Sequence, residues 1–147
     1  MKITLCGSIA FIDELLGLKE QLEKLGHEIK MPPLEIVNED GKTIPVKEYY
    51  RVRKSADENA LWVWNKKMEL MKDHFNKIIW SDAVLVLNKE KNNIPNYIGA
   101  NTLMEMGLAL YAGKKIFLLN PIPDMSYKEE LFGMQPVVIN GDLNQIN

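Results

Sequence analysis

Apolar and polar positions alternate along this chain in blocks of two different periods. Residues 2–6 (KITLC) form a short apolar and β-branched run, ended by Gly7-Ser8. From Ile12 to Leu25 the apolar residues fall at Leu15, Leu16, Leu18, Leu22 and Leu25. That is helical spacing, and Gly26 stands where a C′ glycine closes a helix. Residues 27–31 read as a second strand, stopped by Pro32-Pro33. Strand, helix, strand is the βαβ opening of a parallel sheet.

Residues 34–54 lose this regularity. Mixed charge, the Asp40-Gly41 turn signal and Pro45 predict an excursion or lid over about 34–65, outside the sheet. Residues 55–80 are helical by composition, as one kinked helix or two. Residues 82–88 (DAVLVLN) are the cleanest buried strand, with an unbroken apolar run. A loop with Asn92, Asn93, Pro95 and Gly99 follows, then a helix from about Thr102 to Ala112, closed by Gly113. Residues 115–119 (KIFLL) form a fourth strand, residues 127–132 a short helix, and residues 136–139 a fifth strand. Five strands with helices between them predict a single α/β domain over residues 1–147, a three-layer sandwich around a parallel sheet. Ligands of such sheets bind outside the carboxyl ends of the strands. Here those ends lead into Cys6-Gly7-Ser8, Met31-Pro32, Asn88 and Asn120.

Composition narrows the function. With 46% hydrophobic and 26% charged residues, the 147-residue chain is of ordinary globular make-up. Its net charge of −2 offers no footprint for a DNA duplex or an anionic membrane. The first dozen residues lack the long apolar core of a secretory signal, and a single cysteine suits a reducing compartment, so a cytoplasmic location is expected. Small-molecule chemistry or protein contact remains.

Gly7 and Ser8 close the first strand and open a helix, a place where backbone N–H groups can receive an anion or simply make a tight turn. Neither phosphate-loop motif is present. No G-x-G-x-x-G follows the first strand, and Gly107 to Gly113-Lys114 has one residue too many for a P-loop. Thr102-x-x-Glu105 matches a capping box. Glu105 could equally be a carboxylate facing the ligand crevice, kept ionised by the helix dipole. His74 has Met71, Phe75 and Ile78 as helical neighbours and reads either as a packed residue or as a proton donor. Asp82, at the amino edge of its strand, reads as structural. Two histidines and one cysteine show no ligand spacing, so neither a metal nor another cofactor is expected.

The segments CGSIAF (6–11), SDAVLVLN (81–88) and IGANTLMEMGLALYAGKKIFLLN (98–120) together resemble the nucleoside 2-deoxyribosyltransferase superfamily, which includes the 2′-deoxynucleoside 5′-monophosphate N-glycosidases. The resemblance implies a flavodoxin-like (Rossmann-like) sheet of order 2-1-3-4-5 and cleavage of the N-glycosidic bond of a nucleoside or nucleotide. The family's nucleophilic glutamate falls on Glu105 of MEMGLA, which would hold a covalent glycosyl ester. Six residues earlier, where the family carries an acid or a serine, this chain has Gly99; Asn101 or a backbone N–H would take that place. Eight residues before Asp82, where the family often has another acid, stands His74. Gly7, Ser8 and Phe11 on the first turn and Asn88 after the third strand complete the substrate-binding candidates. The family's phosphate-turn arginine is missing from Ser8-Ile9-Ala10-Phe11. Family members often assemble as homodimers or larger, and Tyr49, Tyr50, Trp62 and Trp64 are the interface candidates. Two other functions fit the same residues. One is a nucleotide-binding or sensing module without chemistry, and the other is an oligomeric interaction protein.

Overall fold

Alternation within the strands builds the core. In β1 (Lys2–Gly7), Ile3 and Leu5 point to one side and Thr4 and Cys6 to the other, all fully buried. In β5 (Ala83–Leu87), Ala83, Leu85 and Leu87 share the first side and Val84 and Val86 the second. Both faces are covered, which is why this strand reads as an unbroken apolar run. The computed structural model describes residues 1–147.

Between these two strands come α1 (Ile12–Lys24), β2 (Glu28–Lys30), β3 (Glu35–Val37), β4 (Thr43–Pro45), α2 (Val46–Ser55) and α3 (Leu61–Trp80). After β5 come α4 (Ala100–Tyr111), β6 (Lys115–Leu118), α5 (Lys128–Gly133) and β7 (Val137–Val138). The sheet runs β2-β1-β5-β6-β7 and every pairing in it is parallel. Counted along this sheet alone, the order is 2-1-3-4-5, as the resemblance implied. One face buries Ile12, Leu15, Leu18 and Leu22 of α1 together with Val46 and Tyr49 of α2. The other buries Ile78 of α3, Met106 and Ala109 of α4 and Leu131 of α5. Each such aliphatic side chain contributes roughly 1.5–3 kcal/mol through burial. The first and fourth helices both end as the sequence predicts. Gly26 (φ 91°) and Gly113 (φ 69°) adopt the left-handed C′ conformation, and the next residues, His27 and Lys114, donate back to Leu22 and Ala109 carbonyls.

Two expectations need correction. The excursion has order of its own: β3 and β4 pair as an antiparallel two-stranded ribbon, and α2 continues from it. Short strands around a turn carry too little periodicity to register in sequence. The region 55–80 is one helix starting only at Leu61, because α2 stops at Ser55 and residues 56–60 are non-helical, with a turn at 58–59.

Asp82 sits at the amino edge, where its carboxylate accepts from the Lys2 N–H at 2.8 Å. At the opposite end, buried Asn88 ties the β5 and β6 loops together. Its amide donates to the Asn120 and Pro121 carbonyls and its Oδ1 accepts from the Asn120 N–H, each at 2.9 Å. Replacing it (Asn88→Ala) strands those loop groups, and a denaturant titration is expected to show a loss of about 1–3 kcal/mol.

Candidate active site

The carboxyl ends of β1 and β2, with α2, α3 and the amino end of α4, enclose a cavity of about 590 Å³. That volume lies in the range of small-molecule sites. Helical spacing brings Trp64, Lys67, Met71 and His74 of α3 to the same wall. From α2 come Val46, Tyr50 and Arg53, and from the start of α4 Gly99, Asn101 and Glu105.

Glu105 is the only carboxylate on the wall. The capping-box reading is overturned by the helix start. Gly99, in extended conformation, is the N-cap, and its carbonyl accepts from Leu103. Thr102 is therefore inside the first turn, and Glu105 is one turn further on, 4% exposed and beyond the strongest part of the dipole. Burial pushes its carboxyl up to about 7, against weaker downward pulls from the Cys6 thiol and the Lys67 ammonium. The expectation of a carboxylate kept ionised by the dipole thus gives way to one poised near neutrality by desolvation. Asn101 Nδ2 donates to Glu105 Oε1 at 2.8 Å, and Lys67 Nζ donates to Asn101 Oδ1 at 3.3 Å. This chain of contacts fixes the carboxylate. Lys67 is itself pulled down to about 8, first by burial and then by repulsion from Arg53.

Behind Glu105 lies His74. Its Nε2 is 3.6 Å from Glu105 Oε2 and 3.5 Å from Cys6 Sγ. Burial, helped by Lys77, lowers His74 to about 4, so the ring is neutral at pH 7. Neither His74 Nδ1 nor Glu105 Oε2 has a hydrogen-bond partner among the protein's groups. Donor atoms of Cys6, His74 and Glu105 all lie within 4.8 Å of one another, a convergence that residue spacing does not disclose. Burial raises the Cys6 thiol well above its usual range, which opposes the thiolate a metal would need.

The remaining candidates divide. Gly7 and Ser8 line the cavity, and Ser8 Oγ accepts from the Ala10 N–H at 3.3 Å and from Lys91 Nζ at 2.8 Å. Gly99 also lines it. A Cβ there would come within 3.2 Å of the Tyr97 ring, so only glycine leaves that ring its place. Phe11 and Asn88 do not reach the wall. Phe11 packs in the core on the α1 side, because the turn that exposes Ser8 directs the last residue of Ile9–Phe11 inward. Asn88 is consumed by the loop bonds described above.

Of the aromatic interface candidates, Tyr49 is buried and Tyr50, Trp62 and Trp64 are half-buried. Tyr49 donates to the Val63 carbonyl at 2.7 Å and meets Trp62 edge-on at 6.0 Å. Tyr50 and Trp64 face the cavity, and Trp64 Nε1 donates to the Asp57 carbonyl. They close this chain's own site.

Several cavity residues escaped the sequence reading. Lys67 lies two helical turns before His74, a same-face relation that could have flagged it. Arg53, Lys54 and Lys91 had no such signal, since they belong to the excursion and a loop.

With the geometry in hand, solved structures give a match. A 2-deoxyribosyltransferase from Bacillus psychrosaccharolyticus superposes with a TM-score of 0.50 at 17% identity, over 80% of this chain and 71% of that one. The chain shares its fold with a 2-deoxyribosyltransferase. A CMP N-glycosidase from Clostridium botulinum gives a TM-score of 0.49 at 16% identity, over 94% of this chain and 85% of that one. No protein-family model and no curated protein sequence matches the chain. No helix is long and apolar enough to cross a membrane.

Proposed function

We propose that this protein cleaves the N-glycosidic bond of a nucleoside or nucleotide, with Glu105 as nucleophile. The observation that carries the reading is the single carboxylate on the cavity wall, nearly buried, held by Asn101 and poised to about 7. A carboxylate of that affinity is ionised in half the molecules at neutral pH and is stripped of the water that would blunt its attack. It adds to the anomeric carbon as the base departs, giving a glycosyl ester. Water or a second base then opens that ester, with net retention.

A base anion leaves poorly without a proton. Lys67, poised to about 8, is suited to supply it, since a general acid works best with a pKa near the working pH. His74 is a positioning residue in this scheme. Neutral and buried, it walls in Oε2 without competing for the proton. Two groups with opposite requirements predict a bell-shaped pH profile for kcat/KM. It rises as Glu105 ionises near 7 and falls as Lys67 deprotonates near 8. Lys67→Met is expected to lower kcat by roughly 10²-fold or more and to remove the alkaline limb. Chromatography of released base across pH reads both effects. A retained alkaline limb would assign the proton to another group.

A further inference from the structure

One cluster of cations on the wall has no ion-pair partner. Arg53, Lys54 and Lys91 surround the Tyr50 ring, at 5.1, 5.0 and 5.2 Å from its centroid. None of the three has a carboxylate within 4 Å, whereas Lys47, Lys66, Lys77 and Lys89 all do. Lys91 instead donates to two neutral oxygens, Tyr50 Oη at 2.7 Å and Ser8 Oγ at 2.8 Å. Like charges gathered without acids repel one another at a cost to the fold. Tyr50 shows the resulting field: burial alone would raise its phenol, yet Lys91 and Lys54 bring it below its ordinary value.

The cluster shares the cavity with Lys67, which Arg53 and Lys54 repel, but Lys67 has Glu105 within reach through Asn101. This leaves three uncompensated positive charges, on Arg53, Lys54 and Lys91, beside the Gly7-Ser8 turn. A phosphate monoester carries about −1.5 to −2 at pH 7. A diphosphate adds one more acidic oxygen, for about −3, and spans two groups. Lys91 and Ser8 come from the loops after β5 and β1, whereas Arg53 and Lys54 come from α2, so the cations reach Tyr50 from separate elements.

We infer that the Tyr50 cluster is a diphosphate subsite and that the substrate class is nucleoside 5′-diphosphates. The inference rests on the nucleotide reading of the cavity and extends it to the far end of the ligand. The inner phosphate lies against Ser8 and Lys91, and the outer one against Arg53 and Lys54.

Calorimetric titration of Glu105→Gln, which does not turn over, tests it with a deoxynucleoside and its 5′-mono- and diphosphate. The diphosphate is expected to bind roughly tenfold or more tighter than the monophosphate. Inorganic pyrophosphate is expected to compete better than inorganic phosphate, with an advantage that shrinks as salt rises. Lys54→Met, checked for folding by circular dichroism, should shrink the diphosphate preference, costing diphosphate affinity more than monophosphate affinity. Equal or weaker binding of the diphosphate overturns the inference, while base release by the wild type would still uphold the glycosidase reading. Tight diphosphate binding without base release from any arm would sink the glycosidase and leave the subsite standing.

Discussion

Glu105→Gln is expected to abolish base release, by at least about 10³-fold in kcat/KM, while the protein folds and binds ligand. Gln is nearly isosteric and its carbonyl can still accept from Asn101 Nδ2, so the α4 geometry survives. What disappears is the proposed nucleophile, and removing a covalent participant costs orders of magnitude that binding cannot restore. The variant is also expected to be more stable than wild type above pH 7. There the native protein holds an ionised carboxylate with one oxygen buried and unpartnered, a state that burial opposes by about 3 kcal/mol for a rise from 4.5 to about 7. Lost turnover with raised stability is the signature of a site residue held against its own solvation. Turnover within tenfold of wild type would remove Glu105 from the chemistry.

The second large effect concerns two titrations that hide each other. Glu105 binds its proton more tightly folded than unfolded. Its contribution is therefore complete below about 4.5 and is lost as pH rises to about 7. His74 is the reverse. The folded protein resists protonating it, so stability is complete above 6.5 and falls as pH drops to about 4. Across 4.5 to 6.5 the slopes are opposite and similar, each worth about 3 kcal/mol over its full range. From this pair, wild-type stability is expected to be nearly flat in that window. Glu105→Gln should expose the histidine, giving stability that climbs with pH from about 4 to 6.5. His74→Asn should expose the glutamate, giving stability that declines with pH from about 4.5 to 7. Denaturant midpoints at several pH values measure both. Two variants with the same slope as wild type would mean that neither group is desolvated as described.

The flatness also bears on the chemistry. A buried carboxylate poised to about 7 usually makes a protein pH-sensitive, and here a neutral imidazole 3.6 Å away offsets that sensitivity. Cys6, the third member of the cluster, is protonated throughout this range because burial raises its thiol.

What the sequence settles by itself is the sheet and one end of the site. The short apolar run of 2–6, the unbroken run of 83–87 and helical spacing with glycines at 26 and 113 are local signals, so the strands and helix ends were legible, while their order came from the family resemblance. The family resemblance carried by MEMGLA singled out Glu105, and strand position put Ser8 beside the crevice. Tertiary structure alone decided the surroundings of the candidate site. Residues 6, 74 and 105 meet only because β1, α3 and α4 pack together, and the shift of Glu105 comes from desolvation by that packing, which no spacing encodes. It also placed the N-cap at Gly99, which turned an apparent cap into a wall residue. Finally, it folded residues 34–60 over the cavity and delivered Arg53 and Lys54 to Lys91. Charge is additive along a sequence, but electrostatic fields depend on distance, and those distances exist only in the folded chain.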